Sequence, residues 1–231
     1  MRNLAIIPAR SGSKGLKDKN IKLLSGIPLL AYSIRAAENS QMFNKIMVST
    51  DSEIYADVAK KYGAEVPFMR SAVLSGDAAG SWDVVLDVLS KYQEQDEIFD
   101  TVCLLQPTSP LRSPQDIVNG YGVLADKEAD AVTAVCKMDH SPLWSMVLPE
   151  DGSLKDFIRK SVPRQMMEQH YRINGALYIR KLDYSEVGII ILNREEYAYI
   201  MDRNRSIDID TIEDFKYVEF LLGGLSENQD D

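Results

Sequence analysis

The chain has 231 residues, 45% of them apolar, and a formal net charge of −9 at pH 7. This length suits a single α/β domain with a substantial core, and the acidic balance argues against a nucleic acid as partner. No run approaches the ~20 apolar residues that a membrane span needs, and a core strand begins by Leu4, so we expect no signal peptide and a cytoplasmic location.

The first predicted element is a buried parallel strand over residues 4–8, which leads into a loop over residues 9–20, here called the basic loop. Gly12 and Gly15 let its backbone turn sharply and approach a ligand, so that successive N–H groups can converge on an anion. Residues 1–22 hold six of the chain's 26 lysines and arginines against one aspartate. We therefore predict that the loop binds a small polyanion; the alternative is a solvated basic loop.

The basic loop matches neither of the common nucleotide fingerprints. A Walker loop ends in Gly-Lys-Ser/Thr, whereas here Lys14 precedes Gly15 and Leu16 follows it, and Gly-x-Gly-x-x-Gly is absent. We therefore do not expect a P-loop NTPase or a dinucleotide-binding enzyme.

Strands and helices alternate over the first half of the chain. Helices are predicted over residues 27–39, from a cap at 49–52 to Tyr62, over 81–93, and from an N-cap at Ser113 to Ala125; strands are predicted over 45–48, 65–69, 101–105 and 131–136. This alternation predicts a doubly wound, mostly parallel sheet, whose strands bind ligands at their carboxyl ends. Cys103 and Cys136 fall within strand-like runs and are interpreted as buried structural thiols.

The alternation stops in an irregular excursion over residues 137–172, which contains prolines, Met166 and Met167. Composition alone allows this excursion to be a lid over the pocket. Extended segments return over residues 174–180, 189–192 and 197–201, a last helix begins at Thr211, and residues 226–231 are predicted to be disordered. The whole chain, 1–231, is interpreted as one domain.

Two aspartates, Asp208 and Asp210, alternate with isoleucines just before the last helix, so an extended backbone projects both carboxylates from one face. Hard oxygen ligands beside a phosphate loop suit Mg²⁺, which bridges phosphates as a phosphoanhydride bond is cut. The alternative is that Asp210 caps the last helix, but a cap does not explain Asp208. His140 and His170 lie in the excursion without a recognisable nucleophile, and we interpret them as surface or interface histidines.

Five motifs, spread over nearly the whole chain, carry a family resemblance. They occupy residues 7–20 (Ile-Pro-Ala-Arg through Lys-Asn), 48–51, 105–112 (Leu-Gln-Pro-Thr-Ser-Pro-Leu-Arg), 172–178 and 206–211. In this order they resemble the CMP-sialic acid synthetases (acylneuraminate cytidylyltransferases). The resemblance implies a Rossmann-like nucleotidyltransferase fold and a Mg²⁺-dependent transfer of CMP from CTP to a nonulosonic acid, N-acetylneuraminic acid before others, with release of pyrophosphate. It also implies that the excursion, residues 137–172, makes a homodimer.

The same resemblance implies roles for individual residues. Those that would hold the CTP triphosphate are Arg10, Ser13, Lys14, Lys19 and Asn20, with Arg10 and Lys19 nearest the departing pyrophosphate. Those that would recognise cytidine are Arg70, Ala79 and Ser81, and those that would line the sugar site are Gln106, Asn174 and Tyr178, with Arg164 and Arg172 on the sugar carboxylate. Arg10, Lys19, Asp208 and Asp210 would be catalytic, and the two aspartates would bind the metal.

Two departures from the family pattern leave the acceptor open. Residues 140–144 read His-Ser-Pro-Leu-Trp where some sialate enzymes carry Lys after His-Pro-Leu, and apolar residues 189–192 stand where some carry an aromatic pair. Legionaminic and pseudaminic acids are therefore alternative acceptors. A CMP-KDO synthetase is a further alternative, although its opening loop differs. A non-catalytic nucleotide-binding module on the same fold is another, although the intact site residues argue against it.

Overall fold

The computed structural model describes residues 1–13, 15–155, 157, 167–185 and 188–227. Its strands are β1 (Asn3–Pro8), β2 (Leu23–Leu24), β3 (Ile27–Pro28), β4 (Lys45–Ser49), β5 (Thr101–Leu104), β6 (Ala131–Lys137), β7 (Tyr171–Ser185), β8 (Gly188–Ile191) and β9 (Glu196–Ile200). Its helices are α1 (Leu29–Ser40), α2 (Glu53–Lys61), α3 (Ala72–Ser75), α4 (Ser81–Gln93), α5 (Pro114–Asp126) and α6 (Ile212–Glu227).

A central sheet has the strand order β4-β1-β5-β7-β6-β9, and β8 pairs with the end of β7. β1 is parallel to β4 and β5, and β6 is parallel to β9, whereas β7 is antiparallel to both of its neighbours β5 and β6. A single reversed strand thus lies within an otherwise parallel path. This confirms the prediction of an α/β fold with a mostly parallel sheet.

The central strand β1 is apolar on both faces because the sheet is covered on both sides. Ala5 and Ile7 pack in a core with α1 and α5, while Leu4 and Ile6 pack on the opposite face with α4; all four side chains are fully buried. This alternation fixes β1 in register, so that the basic loop leaves the sheet at the carboxyl ends of its parallel strands.

The strand predicted over residues 65–69 is wrong. Glu65 contacts β4 through two backbone bonds, from its own N–H to Ile46 O (2.8 Å) and from Val48 N–H to its carbonyl (2.9 Å). Two residues later Pro67 has no N–H with which to continue the ladder. The segment therefore runs beside β4 without becoming a strand.

The predicted excursion and tail are described only in part. Residues 138–155 are irregular apart from a 3-10 turn at Pro142–Trp144. Met166 and Arg164 lie outside the described residues, as does Lys14 of the basic loop. Residues 226 and 227 belong to α6, and residues 228–231 lie outside the described residues. Both cysteines are buried and free, as predicted. Among the helices of the described residues, none is long and apolar enough to cross a membrane.

The buried carboxylate of Asp116 anchors the segment that follows β9. Asp116, in the first turn of α5, is 1% exposed and accepts hydrogen bonds from Ser113 N–H (2.8 Å), Ser113 Oγ (2.7 Å) and Tyr199 OH (2.8 Å). It also pairs with Arg205, which lies three residues before Asp208. The network therefore holds the approach to the Asp208–Asp210 motif.

We predict that Asp116→Ala lowers the free energy of unfolding by about 3 kcal/mol, because it leaves the Arg205 guanidinium and three donors without their acceptor. Urea unfolding measures this change. Gln115→Ala, on the exposed side of the same turn, is the control and should change stability by less than about 0.5 kcal/mol. Equal effects of the two substitutions would contradict the role given to the network.

Candidate active site

A cavity of about 530 Å³ opens at the carboxyl ends of the parallel strands, between the basic loop, the start of α4 and the segment after β5. This volume is ordinary for a small-molecule site. Its walls bring together predicted triphosphate, cytidine, sugar and metal residues: Arg10, Ser13, Lys19, Asn20, Arg70, Ala79, Ser81, Gln106 and Asp210. Residues from positions 10 to 210 therefore meet in one place.

The basic loop is held by polar contacts, one from outside the loop and one within it. Asp51 accepts from Ser11 N–H (2.7 Å) and Ser11 Oγ (2.9 Å), and Asn20 Nδ2 donates to Arg10 O (3.1 Å). Burial alone would raise the pKa of Asp51, but the hydrogen bonds from Ser11 lower it overall, so this carboxylate is a stable anchor. Gly12 has φ +68°, a conformation that glycine adopts without strain.

The second half of the basic loop lies against the segment that carries the two aspartates. Lys19 Nζ donates to Ile209 O (2.6 Å) and to Asp210 Oδ1 (3.1 Å). Gly15 approaches so closely that a Cβ there would lie 2.6 Å from Asp210 O. A glycine at position 15 is therefore required by contact rather than by its dihedral angles, and the cationic loop and the acidic motif form one site.

Asp208 carries a carboxylate oxygen, Oδ1, that is buried and has no hydrogen-bond partner among the described residues. Burial raises the pKa of Asp208, and the neighbouring charge of Asp210 raises it further, while Thr108, Lys19 and Arg172 oppose the shift. The predicted alternation is confirmed, since Ile207 and Ile209 pack in the core beside α6. A buried, unsatisfied carboxylate oxygen beside a second carboxylate fits a hard divalent cation.

No group of three or more acidic, histidine or cysteine side chains within the described residues is placed to hold a metal. A cation on the two aspartates would therefore take its other ligands from water or from phosphate oxygens, as Mg²⁺ commonly does.

The cap of α6 is made by Thr211 and Asp214. Thr211 Oγ1 accepts from Asp214 N–H (3.2 Å), and Asp214 Oδ2 accepts from Thr211 N–H (2.8 Å) and Asp210 N–H (3.1 Å). The Asp210 carboxylate instead accepts from Lys19. Helix capping therefore does not account for this carboxylate.

On the predicted cytidine side, Arg70 contributes to the cavity wall although its side chain is largely buried. Its Nε donates to Ser49 Oγ (3.0 Å) and its Nη2 to Ser49 O (2.5 Å), and burial lowers its pKa to about 10. Ala79 and Ser81 lie on the wall, where α4 begins. These three residues lie together, as predicted for one subsite.

The predicted sugar residues are placed unevenly. Gln106 lines the cavity and packs over Gly175, which has φ +77° and would place a Cβ 2.4 Å from Gln106 Oε1. Asn174 is 2% exposed, and its amide bonds Ser206 Oγ (2.9 Å) and Ala176 N–H (3.1 Å) inside the protein. In this conformation Asn174 therefore supports the site from behind rather than lining it.

Three more predicted residues also lie away from the cavity wall, namely Asp208, Arg172 and Tyr178. Arg172 Nη2 donates to Ser206 O (3.0 Å), and the Tyr178 ring packs edge-to-face on Trp82 with centroids 6.3 Å apart. Lys14 and Arg164 fall outside the described residues, so their predicted roles stay predictions.

Sequence reasoning missed several residues that shape the site. Thr108 lines the cavity and binds Ile209 N–H through its carbonyl (2.9 Å), and its presence in the 105–112 motif was a usable signal. Arg112, 3% exposed, donates to Ala176 O (2.7 Å) and Gln106 O (3.3 Å), which fixes the backbone of both. Asp77 pairs with Arg10 (3.0 Å), and nothing local in the sequence indicated that contact.

Comparison with known proteins identifies the family of this site. The family model described as "Cytidylyltransferase" matches residues 4–220. The chain belongs to this cytidylyltransferase family. It is 38% identical over 230 residues to the CMP-N,N'-diacetyllegionaminic acid synthase of Legionella pneumophila, with 96% of this chain and 97% of that protein covered.

Two further comparisons concern length and fold. The chain is 39% identical to the N-acylneuraminate cytidylyltransferase of Streptococcus agalactiae serotype V, where 94% of the chain spans only 52% of that protein. A solved CMP:2-keto-3-deoxy-manno-octonic acid synthetase complexed with CTP has the same fold, with a TM-score of 0.71 at 15% identity, over 97% of this chain and 99% of that one.

We predict that Gly15→Ala lowers kcat/KM at least about 10-fold, because the added methyl group must push the basic loop away from Asp210, and small displacements of positioned groups are costly to catalysis. Steady-state turnover and a thermal melt measure activity and folding separately. Gly122→Ala, on α5 with open space at the Cβ position, is the matched control and should leave turnover unchanged. Unchanged turnover in Gly15→Ala would refute the importance of this close approach.

Proposed function

We propose that the protein is a Mg²⁺-dependent cytidylyltransferase that transfers CMP from CTP to the anomeric hydroxyl of a nonulosonic acid and releases pyrophosphate. One observation carries the proposal: the basic loop and the Asp208–Asp210 motif are joined through Gly15 and Lys19 at one cavity. A triphosphate with its metal carries both negative and positive charge, so it complements both halves of this site.

In this proposal the chain's own residues position and stabilise, and no covalent enzyme intermediate forms. Arg10 and Lys19 hold the β- and γ-phosphates and stabilise the charge that develops on the departing pyrophosphate. Asp208 and Asp210 would hold the metal, which would supply positive charge to offset the charge of the phosphate groups. The acceptor, placed on the Gln106 side of the cavity, attacks the α-phosphorus in line.

N-acetylneuraminic acid is the first candidate acceptor, from the motif resemblance. A legionaminic acid is the second, and a specific observation favours it: the Legionella relative, named for such a substrate, matches this chain end to end, whereas the chain spans about half of the streptococcal N-acylneuraminate enzyme.

We also propose a homodimer in the cytoplasm, where CTP is made. Large apolar side chains are exposed on both the excursion and the sheet, among them Trp144, Val147, Ile173 and Ile200. A second copy of the chain would bury them. Light scattering that shows a fully active monomer would contradict this part of the proposal.

The decisive assay is pyrophosphate release from CTP with a panel of N-acetylneuraminic, N,N'-diacetyllegionaminic, pseudaminic and 3-deoxy-manno-octulosonic acids, with and without Mg²⁺. Turnover with at least one nine-carbon acid, dependent on Mg²⁺ and lost with ATP, supports the proposal. No release with any acid would favour a non-catalytic nucleotide-binding module, and turnover with the eight-carbon acid alone would favour a KDO synthetase.

With CTP and an acceptor acid that gives turnover, we predict that Lys19→Ala lowers kcat by about 100-fold. This is the scale expected when one charge-stabilising group is lost. Lys17→Ala removes the same charge from an exposed position in the same loop and should retain near-normal turnover. Equal losses in the two variants would mean that only the net charge of the loop matters.

We further predict that Asp208→Asn abolishes turnover yet raises the thermal midpoint at pH 7. Because folding raises the pKa of Asp208, the folded protein is destabilised when this carboxyl ionises, and stability falls as pH rises above the unfolded-state pKa of about 4. An amide removes that penalty, so its advantage should disappear in acid. Asp210→Asn is the control: it should lose turnover without any gain in thermal midpoint. Ordinary turnover of Asp208→Asn at low Mg²⁺ would refute the metal site.

A further inference from the structure

Arg10 is already occupied by protein groups in this structure. Its Nη1 donates to Ser75 O (3.0 Å) and its Nη2 to Asp77 Oδ1 (3.0 Å). Both acceptors belong to residues 71–80, here called the α3 segment, which also supplies Leu74, Gly76 and Ala79 to the cavity wall. The group assigned to the triphosphate is therefore bound by an internal carboxylate at the edge of the same cavity.

The α3 segment is weakly attached to the rest of the protein. None of its residues is buried, and Val73 is 84% exposed. Its backbone bonds are mostly internal: Ser75 N–H donates to Ser71 O (3.1 Å), and Ala79 N–H donates to Gly76 O (3.3 Å). With little apolar burial to fix it, such a segment opens at low free-energy cost, so the two bonds from Arg10 are a significant part of its attachment.

Lys19, the other cation of the site, is also paired with a carboxylate, but that carboxylate has a different proposed role. Lys19 is paired with Asp210, which in the proposed function turns to the metal when nucleotide binds. Asp77 is not assigned to the metal, and its side chain is 51% exposed beside an Arg10 that is 32% exposed. A carboxylate and a phosphoryl oxygen are equivalent acceptors for a guanidinium, so a bound triphosphate competes with Asp77 for Arg10.

We propose that Asp77 is an internal counter-ion of Arg10, which the triphosphate displaces on binding and which returns to Arg10 as pyrophosphate leaves. The inference rests on the proposed function. Asp77 thereby weakens the hold of the site on every polyphosphate, which speeds product release and couples nucleotide binding to a movement of the α3 segment. No covalent step is involved; one ion pair is exchanged for another.

The test is the affinity of the full-length protein for CTP with Mg²⁺, for pyrophosphate and for cytidine, measured by calorimetry without acceptor. Asp77→Asn should bind CTP and pyrophosphate at least about 3-fold more tightly and cytidine unchanged, because an exposed ion pair and a repulsive charge are both removed. Pyrophosphate should also become a stronger product inhibitor. Asp77→Glu, which keeps the charge, should resemble the wild type. Asp96→Asn makes the same change of net charge at an exposed site after α4 and should have no effect.

A gain in affinity cannot arise from partial unfolding, which makes its direction diagnostic. Unchanged or weaker binding of CTP by Asp77→Asn would overturn the counter-ion role while leaving the proposed function intact, and weaker binding would identify Asp77 as a ligand-binding group. Equal tightening for cytidine would also overturn it, because the exchange concerns phosphate alone. A wild-type protein that binds neither CTP nor pyrophosphate would overturn both the inference and the proposed function.

Discussion

The contact of the basic loop with the Asp208–Asp210 motif is the constraint on which the site depends. Gly15 allows the basic loop to approach the backbone of Asp210 closely, and Lys19 donates to the Asp210 carboxylate. The start of the chain thereby contacts a segment near its end. In a protein of net charge −9, this concentrates both signs of charge at one edge of the sheet. A metal–triphosphate complex carries the complementary arrangement of charges, so its proposed binding would replace internal ion pairs with external ones.

The reversed strand β7 completes the site from the other side. Because β7 is antiparallel to β5, it starts at the edge where the parallel strands end, and its first residues lie beside the segment after β5. The contact of Gln106 with Gly175 follows from this arrangement. Arg112 reinforces it by donating to the carbonyl groups of Gln106 and Ala176, so the Gln106 side of the cavity is held by backbone contacts as well as by side chains.

Local patterns predicted the elements whose causes are local. The apolar run of β1, the helix α4 and the Ser113–Pro114 start of α5 each follow from burial or capping, and all are confirmed. The direction of β7 is set by its pairing with β5 and β6, which are distant from it in sequence. No local pattern encodes this reversal. Contacts such as Arg10 with Asp77, 67 positions apart, have no local signature either. Motif resemblance assigned Asn174 to the sugar site but could not show that its amide donates to Ser206 inside the protein.

The central claim is that Asp208 and Asp210 bind the metal of a nucleotide held by the basic loop. Diffraction from crystals grown with CTP and Mn²⁺, collected for the anomalous signal of manganese, tests it directly. The account predicts one metal peak within direct coordination distance of carboxylate oxygens of both aspartates, with Asp208 Oδ1 among the ligands, and of phosphate oxygens of CTP. A nucleotide bound in the cavity with its metal away from Asp208 would contradict it.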